Sequence, residues 1–96
     1  MGQEMTLKDA ITRICEFDEA FTIYAAQPWT PDAIAIVDLE PDEGGKPEAA
    51  ARLNLSYFLE TSIAGDFIED WKRSLENAPT EAEICQRLID YAVNDA

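Results

Sequence analysis

The sequence predicts an α+β domain in which a three-stranded antiparallel sheet packs with about three helices, in the order helix-strand-strand-strand-helix-helix. The first observation is a change of hydrophobic period within residues 54–75. Before Thr61 the apolar residues recur at every second position, as in a half-buried strand: Leu53, Leu55, Tyr57 and Leu59. After Thr61 they follow the period of a helix: Ile63, Phe67, Ile68, Trp71 and Leu75. A strand that leads directly into an amphipathic helix provides one sheet face and a helix to cover it.

The second observation is the composition. The chain has 96 residues, of which 47% are hydrophobic, and this is enough apolar material for one domain with its own core. We therefore predict a single globular domain over residues 1–96. The apolar runs are far shorter than the roughly 20 residues of a membrane span, and no basic start followed by an apolar run indicates a signal peptide. A cytoplasmic location without membrane contact is expected.

The first half of the chain predicts one helix and two strands. Thr6 has the residue type of a helix N-cap, so the first helix is expected from Leu7 to about Phe17, after a disordered start over residues 1–5. Residues 21–26 and 33–39 have the composition of strands, and the turn between them contains Pro28 and Pro31. These two strands should form a hairpin, and the third strand should extend it into a meander.

The second half begins with the clearest break in the chain, EPDEGGKP at residues 40–47. Residues 40–52 are expected to be a flexible connection inside the domain, with the composition of one helical turn at residues 48–52. The helix after the third strand should end near Asn77 and Pro79, and Thr80 with Glu83 forms a capping box for the last helix. That helix has the apolar stripe Ile84, Cys85, Leu88, Ile89 and Ala92.

The residue types argue against an enzyme and against a bound cofactor. Histidine is absent, which removes the commonest general base and transition-metal ligand. Cys15 and Cys85 both fall on predicted apolar helix stripes, where a thiol is free, buried and inert. Carboxylates alternate over residues 38–42, but an EF-hand frame fails because Glu43 occupies the glycine position and Ala49 the bidentate glutamate position. A divalent-metal or carboxylate-based enzyme is the less favoured alternative.

The charge balance indicates the kind of partner. Twenty acidic residues against seven basic ones give a net charge of −13, which repels nucleic acid and anionic membranes and attracts a basic protein. Acidity that serves solubility alone is the competing interpretation. An aromatic residue beside acidic ones makes a good anchor for a basic partner. The predicted partner-binding residues are Trp29, Asp32, Asp38, Glu40 and Asp42.

Two aromatic residues leave alternatives open. Trp29 is either this anchor or a lid that folds back on the edge of the sheet. Phe58 interrupts the polar face of the third strand, so either a helix covers that face or Phe58 marks a surface for self-association. The chain is accordingly expected to be a monomer or a weak homodimer.

Several segments resemble a family of short acidic bacterial proteins that is described only as a domain of unknown function. The segments are Trp29-Thr30-Pro31, Tyr57-Phe58-Leu59-Glu60 with Ile63-Ala64 and Trp71, Arg87-Leu88-Ile89 with Tyr91-Ala92, and Asn94-Asp95-Ala96. The resemblance spans most of the chain, contains no catalytic signature, and implies a bacterial, cytoplasmic, single-domain protein without residue roles to transfer. By analogy the chain is also similar in general character to small immunity proteins.

The functional prediction is thus a non-enzymatic protein-binding module, of which an immunity or inhibitor protein is one version, for a basic partner. A self-associating structural domain, with Phe58 or the sheet edge at the contact between copies, is the alternative from another class.

Overall fold

The computed structural model describes residues 4–42 and 44–95, so the expectation for residues 1–3 lies outside the described part of the chain. The strands are β1 (Met5–Thr6), β2 (Phe21–Ala25), β3 (Ile34–Leu39) and β4 (Ser56–Glu60), and the helices are α1 (Leu7–Thr12), α2 (Glu48–Arg52), α3 (Thr61–Arg73) and α4 (Glu81–Asp95). A 3₁₀ helix, Ile14–Glu16, follows α1. The α+β class is confirmed, and α3 begins at the residue after β4, as the change of hydrophobic period predicts.

The sheet differs from the prediction in its number of strands and in their order. Met5 and Thr6 pair with Ala35 and Ile34, which adds a fourth, two-residue strand. The order is β1-β3-β2-β4, with all pairs antiparallel. The predicted meander is therefore wrong, because β4 pairs with β2 and not with β3. The connection between β3 and β4 carries α2 across the sheet and so delivers β4 to the other side of β2.

Each face of the sheet has its own apolar cluster. On one face, which we call the helix face, α1, α3 and α4 cover side chains that include Ile23, Ala35 and Val37. On the opposite, outer face, residues 49–55 cover Tyr24 and Ile36. The helical turn expected at residues 48–52 is thus present as α2, and its small residues pack on the sheet, since Ala50 is fully buried.

A β-bulge in β4 explains the unexpected position of Phe58. Ile23 pairs with Leu59, but Tyr24 pairs with Tyr57, so Phe58 is the extra residue. The bulge puts Phe58 and Leu59 together in the cluster on the helix face, and Phe58 is only 2% exposed. Of the two alternatives for Phe58, the covered position is therefore the one observed.

The helical expectations hold in the caps and fail in two details. The Thr6 hydroxyl accepts the Asp9 N–H at 3.1 Å, and the Thr80 hydroxyl accepts the Glu83 N–H at 3.1 Å, so both predicted N-caps are present. The first helix ends at Thr12, however, and continues only as the 3₁₀ helix. In α3 the buried side chains are Thr61, Ala64 and Ile68, whereas Trp71, which the stripe predicts to be in the core, is half-buried.

Candidate functional site

The helical layer has a groove with a volume of about 720 Å³. The 3₁₀ helix with the end of α1 forms one wall, one side of α3 forms the second, and the start of α4 closes one end. We call it the helix groove. Its apolar residues are Ile11, Ile14, Phe17, Ile68, Pro79 and Ile84. A concave surface with apolar side chains at its centre is the usual form of a binding site in a small domain.

Charged residues on the wall of the helix groove are mostly acidic. Four carboxylates line it, Glu19, Asp66, Glu69 and Glu81, and Lys72 is the one basic residue among the lining residues. All four carboxylates are solvent-exposed. The helix groove therefore combines an apolar centre with a negatively charged rim, and this combination is complementary to a segment with apolar and basic side chains.

The junction between β4 and α3 fixes the shape of the groove. The buried Thr61 hydroxyl donates to the Asp18 carbonyl at 2.8 Å and lies 3.2 Å from the Phe21 carbonyl. It ties the segment that follows the 3₁₀ helix to the start of α3. Because these partners are backbone atoms about 40 residues away in sequence, the two walls are held by tertiary contacts and not by local propensity.

A glycine in the middle of α3 keeps one wall open. Gly65 lines the helix groove, and no atom lies within 4 Å of the position that a Cβ would take. Glycine in a helix interior costs about 1 kcal/mol relative to alanine. At this position the absent side chain leaves free space in the groove, so a larger residue would fill it without a clash at its Cβ.

The two cysteines have different environments, which corrects the prediction that both are buried. Cys85 is fully buried, and this burial raises the pKa of its thiol. Cys15 is exposed and lines the helix groove. The physical reason is the change at Arg13 from α-helix to 3₁₀ helix, which alters the number of residues per turn and rotates Cys15 away from the core.

We expect a thiol reagent to modify Cys15 quickly in the native protein and Cys85 only on unfolding, because the reagent needs an accessible thiolate. Reaction with Ellman's reagent, measured with and without denaturant, should give one fast equivalent and then a second one. Cys15→Ser should abolish the fast phase. Two fast equivalents in native buffer would contradict the burial of Cys85.

Trp29 lies where the lid interpretation places it. Its indole N–H donates to the Ala25 carbonyl at 3.2 Å, and its ring meets the Phe58 ring edge-to-face at a centroid distance of 4.9 Å. The ring is half-buried and packs against the cluster on the helix face. Trp29 thus covers the core at the end of the sheet where the β2–β3 turn lies. A role in partner binding stays a prediction.

The four predicted carboxylates do not form one surface with Trp29. Asp32 is in the turn at the Ala25–Ala35 end of the hairpin, whereas Asp38, Glu40 and Asp42 lie at or beyond the opposite end. The two ends are about 14 Å apart, since four residue steps of a strand separate them. None of the five residues lines the helix groove. The predicted binding residues therefore lie in two separate places, and their participation in binding stays a prediction.

No protein-family model matches the sequence, and no curated protein or solved structure is significantly similar to it. The resemblance to short acidic bacterial proteins accordingly stays a prediction. Within residues 4–42 and 44–95, no three residues of the types His, Cys, Asp and Glu are close enough together to hold a metal ion. In the same part of the chain, none of the helices has the length and apolar character needed to cross a bilayer.

Sequence reasoning missed the helix groove because its walls come from distant segments. One signal was present: the acidic residues Glu16, Asp18 and Glu19 follow the first helix, at the terminus where its dipole favours cations. Of these, Glu19 contributes to the groove. The signal could have pointed to this end of the molecule, but not to α3 as the opposite wall.

Proposed function

We propose that this chain is a non-enzymatic protein-binding module that holds a basic, partly apolar segment of another protein in the helix groove. The supporting observation is the apolar centre of the groove combined with its four exposed carboxylates. The net charge of −13 adds long-range attraction for a basic partner and accelerates encounter at low ionic strength. An immunity or inhibitor protein that neutralises a basic partner is one version of this function.

The alternatives have less support in the described residues. Self-association was expected through Phe58 or through the sheet edge, and Phe58 is buried against Trp29, so it is unable to reach a second copy. A divalent-metal enzyme would need ligating residues that lie close together, whereas among the described residues Asp38, Glu40 and Asp42 belong to no group with metal-ligating geometry. Binding through the helix groove is therefore the function that we put forward.

The experiment uses the exposed Cys15 thiol as a reporter of groove occupancy. We expect a designed 18-residue amphipathic peptide of lysine and leucine to slow the alkylation of Cys15 in a saturable manner. The matched glutamate–leucine peptide should have no effect, because the groove rim repels it. The protection should weaken as salt rises from about 50 to 300 mM, since screening reduces the attraction between exposed charges.

Two matched pairs of variants assign this protection to the groove. Asp66→Lys with Glu69→Lys should weaken peptide binding at least about tenfold, because exposed charge pairs contribute up to about 1 kcal/mol each. Asp32→Lys with Asp42→Lys changes the net charge equally at two of the sequence-predicted positions and should have a smaller effect. Gly65→Leu should fill the groove and block binding in a folded protein, whereas Gly65→Ala should retain binding.

Equal losses in the two double variants would show that the peptide senses only net charge, and the groove proposal would then be wrong. The natural partner is identified next, by attaching a photo-crosslinker to Cys15 and comparing captured proteins between the unmodified chain and Gly65→Leu. A basic protein captured by the first and not by the second is the expected result.

A further inference from the structure

The helix groove is built almost entirely from helices, and this limits the conformation of a segment that binds in it. Among the described residues that line the groove, none belongs to a strand, and all but Phe17, Glu19 and Pro79 lie in α1, the 3₁₀ helix, α3 or α4. Backbone N–H and C=O groups in the interior of a helix bond to one another along the helix. The described walls therefore present side chains to an occupant and no continuous row of free backbone groups.

The loops beside the groove also have bonded backbone groups. The Asp18 carbonyl accepts the Phe21 N–H at 3.0 Å and the Thr61 hydroxyl at 2.8 Å. At the other end, the Thr80 N–H donates to the Glu83 carboxylate at 2.8 Å. An extended segment needs a strand edge to pair with its backbone groups, because burying these groups unpaired costs free energy. The described lining residues provide no such edge, so an extended segment would lose hydrogen bonds to water without replacing them.

The length of the groove suits a helix of about three turns. The α3 residues that line the groove run from Thr61 to Lys72, which is roughly 16 Å along the helix axis at about 1.5 Å per residue. A partner helix beside α3 would contact the groove over this length and present apolar side chains at positions i, i+3 or i+4, and i+7. The apolar side chains of Ile11, Ile14 and Ile68 line the groove and can pack against such a stripe. The interior backbone groups of the partner helix would remain bonded to one another.

Small residues on α3 allow a second helix to come close. Ser62 and Gly65 line the groove three residues apart, and no atom lies within 4 Å of the position that a Cβ of Gly65 would take. Packed helices lie about 8–10 Å apart, and small residues at the contact permit the shorter distances. Asp66 and Glu69 line the groove with the same three-residue spacing. Basic residues that recur every three or four positions along a partner helix can face these carboxylates.

We propose that the helix groove binds its partner as an amphipathic α-helix, with apolar residues on the side that enters the groove and lysine or arginine along the edges of that side. This inference rests on the proposed function and specifies the conformation of the segment that the groove recognises. The helical walls favour a helix over an extended segment, and the exposed carboxylates Glu19, Asp66 and Glu69 favour basic residues at its edges.

Two lysine–leucine peptides of equal length, composition and charge test this conformation with the full chain. In the helical peptide, leucine recurs with the period of a helix, and in the alternating peptide, lysine and leucine alternate with the period of a strand. We expect the helical peptide to protect Cys15 from alkylation at a concentration at least about tenfold lower than the alternating peptide requires. A proline in place of one central lysine of the helical peptide should weaken protection at least about tenfold, because proline breaks the helix. An alanine at the same position should retain it.

Disulfide exchange with Cys15 measures the conformation of the bound peptide directly. A cysteine activated as its mixed disulfide with thionitrobenzoate is placed at each position in turn over two turns of the helical peptide. The Cys15 thiolate attacks the peptide sulfur, a disulfide forms between the peptide and Cys15, and thionitrobenzoate leaves as the thiolate. We expect the exchange rate to peak at positions three or four residues apart, because these positions share one face of a helix.

Equal or tighter binding of the alternating peptide would overturn the helical conformation and leave binding in the groove standing. Exchange rates that peak at every second position would have the same meaning, as would equal protection by the proline and alanine peptides. Protection of Cys15 by neither the helical nor the alternating peptide would overturn the proposed function and this inference with it.

Discussion

Phe58→Ala is expected to lower the free energy of unfolding by about 3–5 kcal/mol, the range for truncating a buried aromatic ring. Phe58 is 2% exposed, and its ring meets Trp29 edge-to-face at 4.9 Å. A domain of this size is stabilised by only about 5–15 kcal/mol in total, so the variant should retain only a small free energy of unfolding. Urea unfolding followed by far-UV circular dichroism measures the change.

Tyr57→Ala is the matched control for Phe58→Ala. It removes an aromatic ring from the neighbouring position of the same strand, but that ring is 45% exposed on the other face. Its cost should be about 1 kcal/mol or less. Similar losses of stability for the two variants would contradict the bulge. In a strand without the bulge, regular alternation from Leu59 would place Tyr57 on the helix face and Phe58 on the outer face.

Trp29→Ala should lower the free energy of unfolding by about 2–3 kcal/mol. This loss is smaller than the loss expected on truncating a fully buried ring, because Trp29 is half-buried. The change removes the contact with Phe58 and the hydrogen bond from the indole to the Ala25 carbonyl. Urea unfolding of Trp29→Ala and Trp29→Phe gives the comparison, and Trp29→Phe should recover most of the loss by restoring an aromatic ring.

The same two variants test the predicted role of Trp29 in binding. If Trp29 acts only as a lid, the folded Trp29→Phe variant should bind the lysine–leucine peptide as tightly as the unchanged chain does, as measured by calorimetry, which detects binding at any surface. A tenfold loss of binding in a folded Trp29→Phe variant would instead support the surface predicted from the sequence. The measurement therefore separates a stabilising residue from an anchor.

The predicted partner surface shows what neighbours in sequence can and cannot indicate. Asp38, Glu40 and Asp42 are close in sequence and lie at one end of the hairpin. Trp29 and Asp32 are also close to one another, but the antiparallel pairing of β2 with β3 puts them at the other end. Selection by residue type alone therefore assigned residues from both ends of the hairpin to one surface. The turn and the register of the strands decide at which end each residue lies.

The amino-acid sequence by itself determined the class of the fold, β2, β3, the junction of β4 with α3, the caps at Thr6 and Thr80, and the net acidity of the chain. These features depend on hydrophobic period, capping chemistry and charge, which are local or additive properties. Only the tertiary structure decided the order β1-β3-β2-β4, the bulge at Phe58, the exposure of Cys15 and the walls of the helix groove. The strand order, the bulge and the groove walls depend on contacts between distant segments, and such contacts leave no periodic pattern along the chain. The exposure of Cys15 depends on the residue at which α1 changes to a 3₁₀ helix, which the apolar stripe does not indicate.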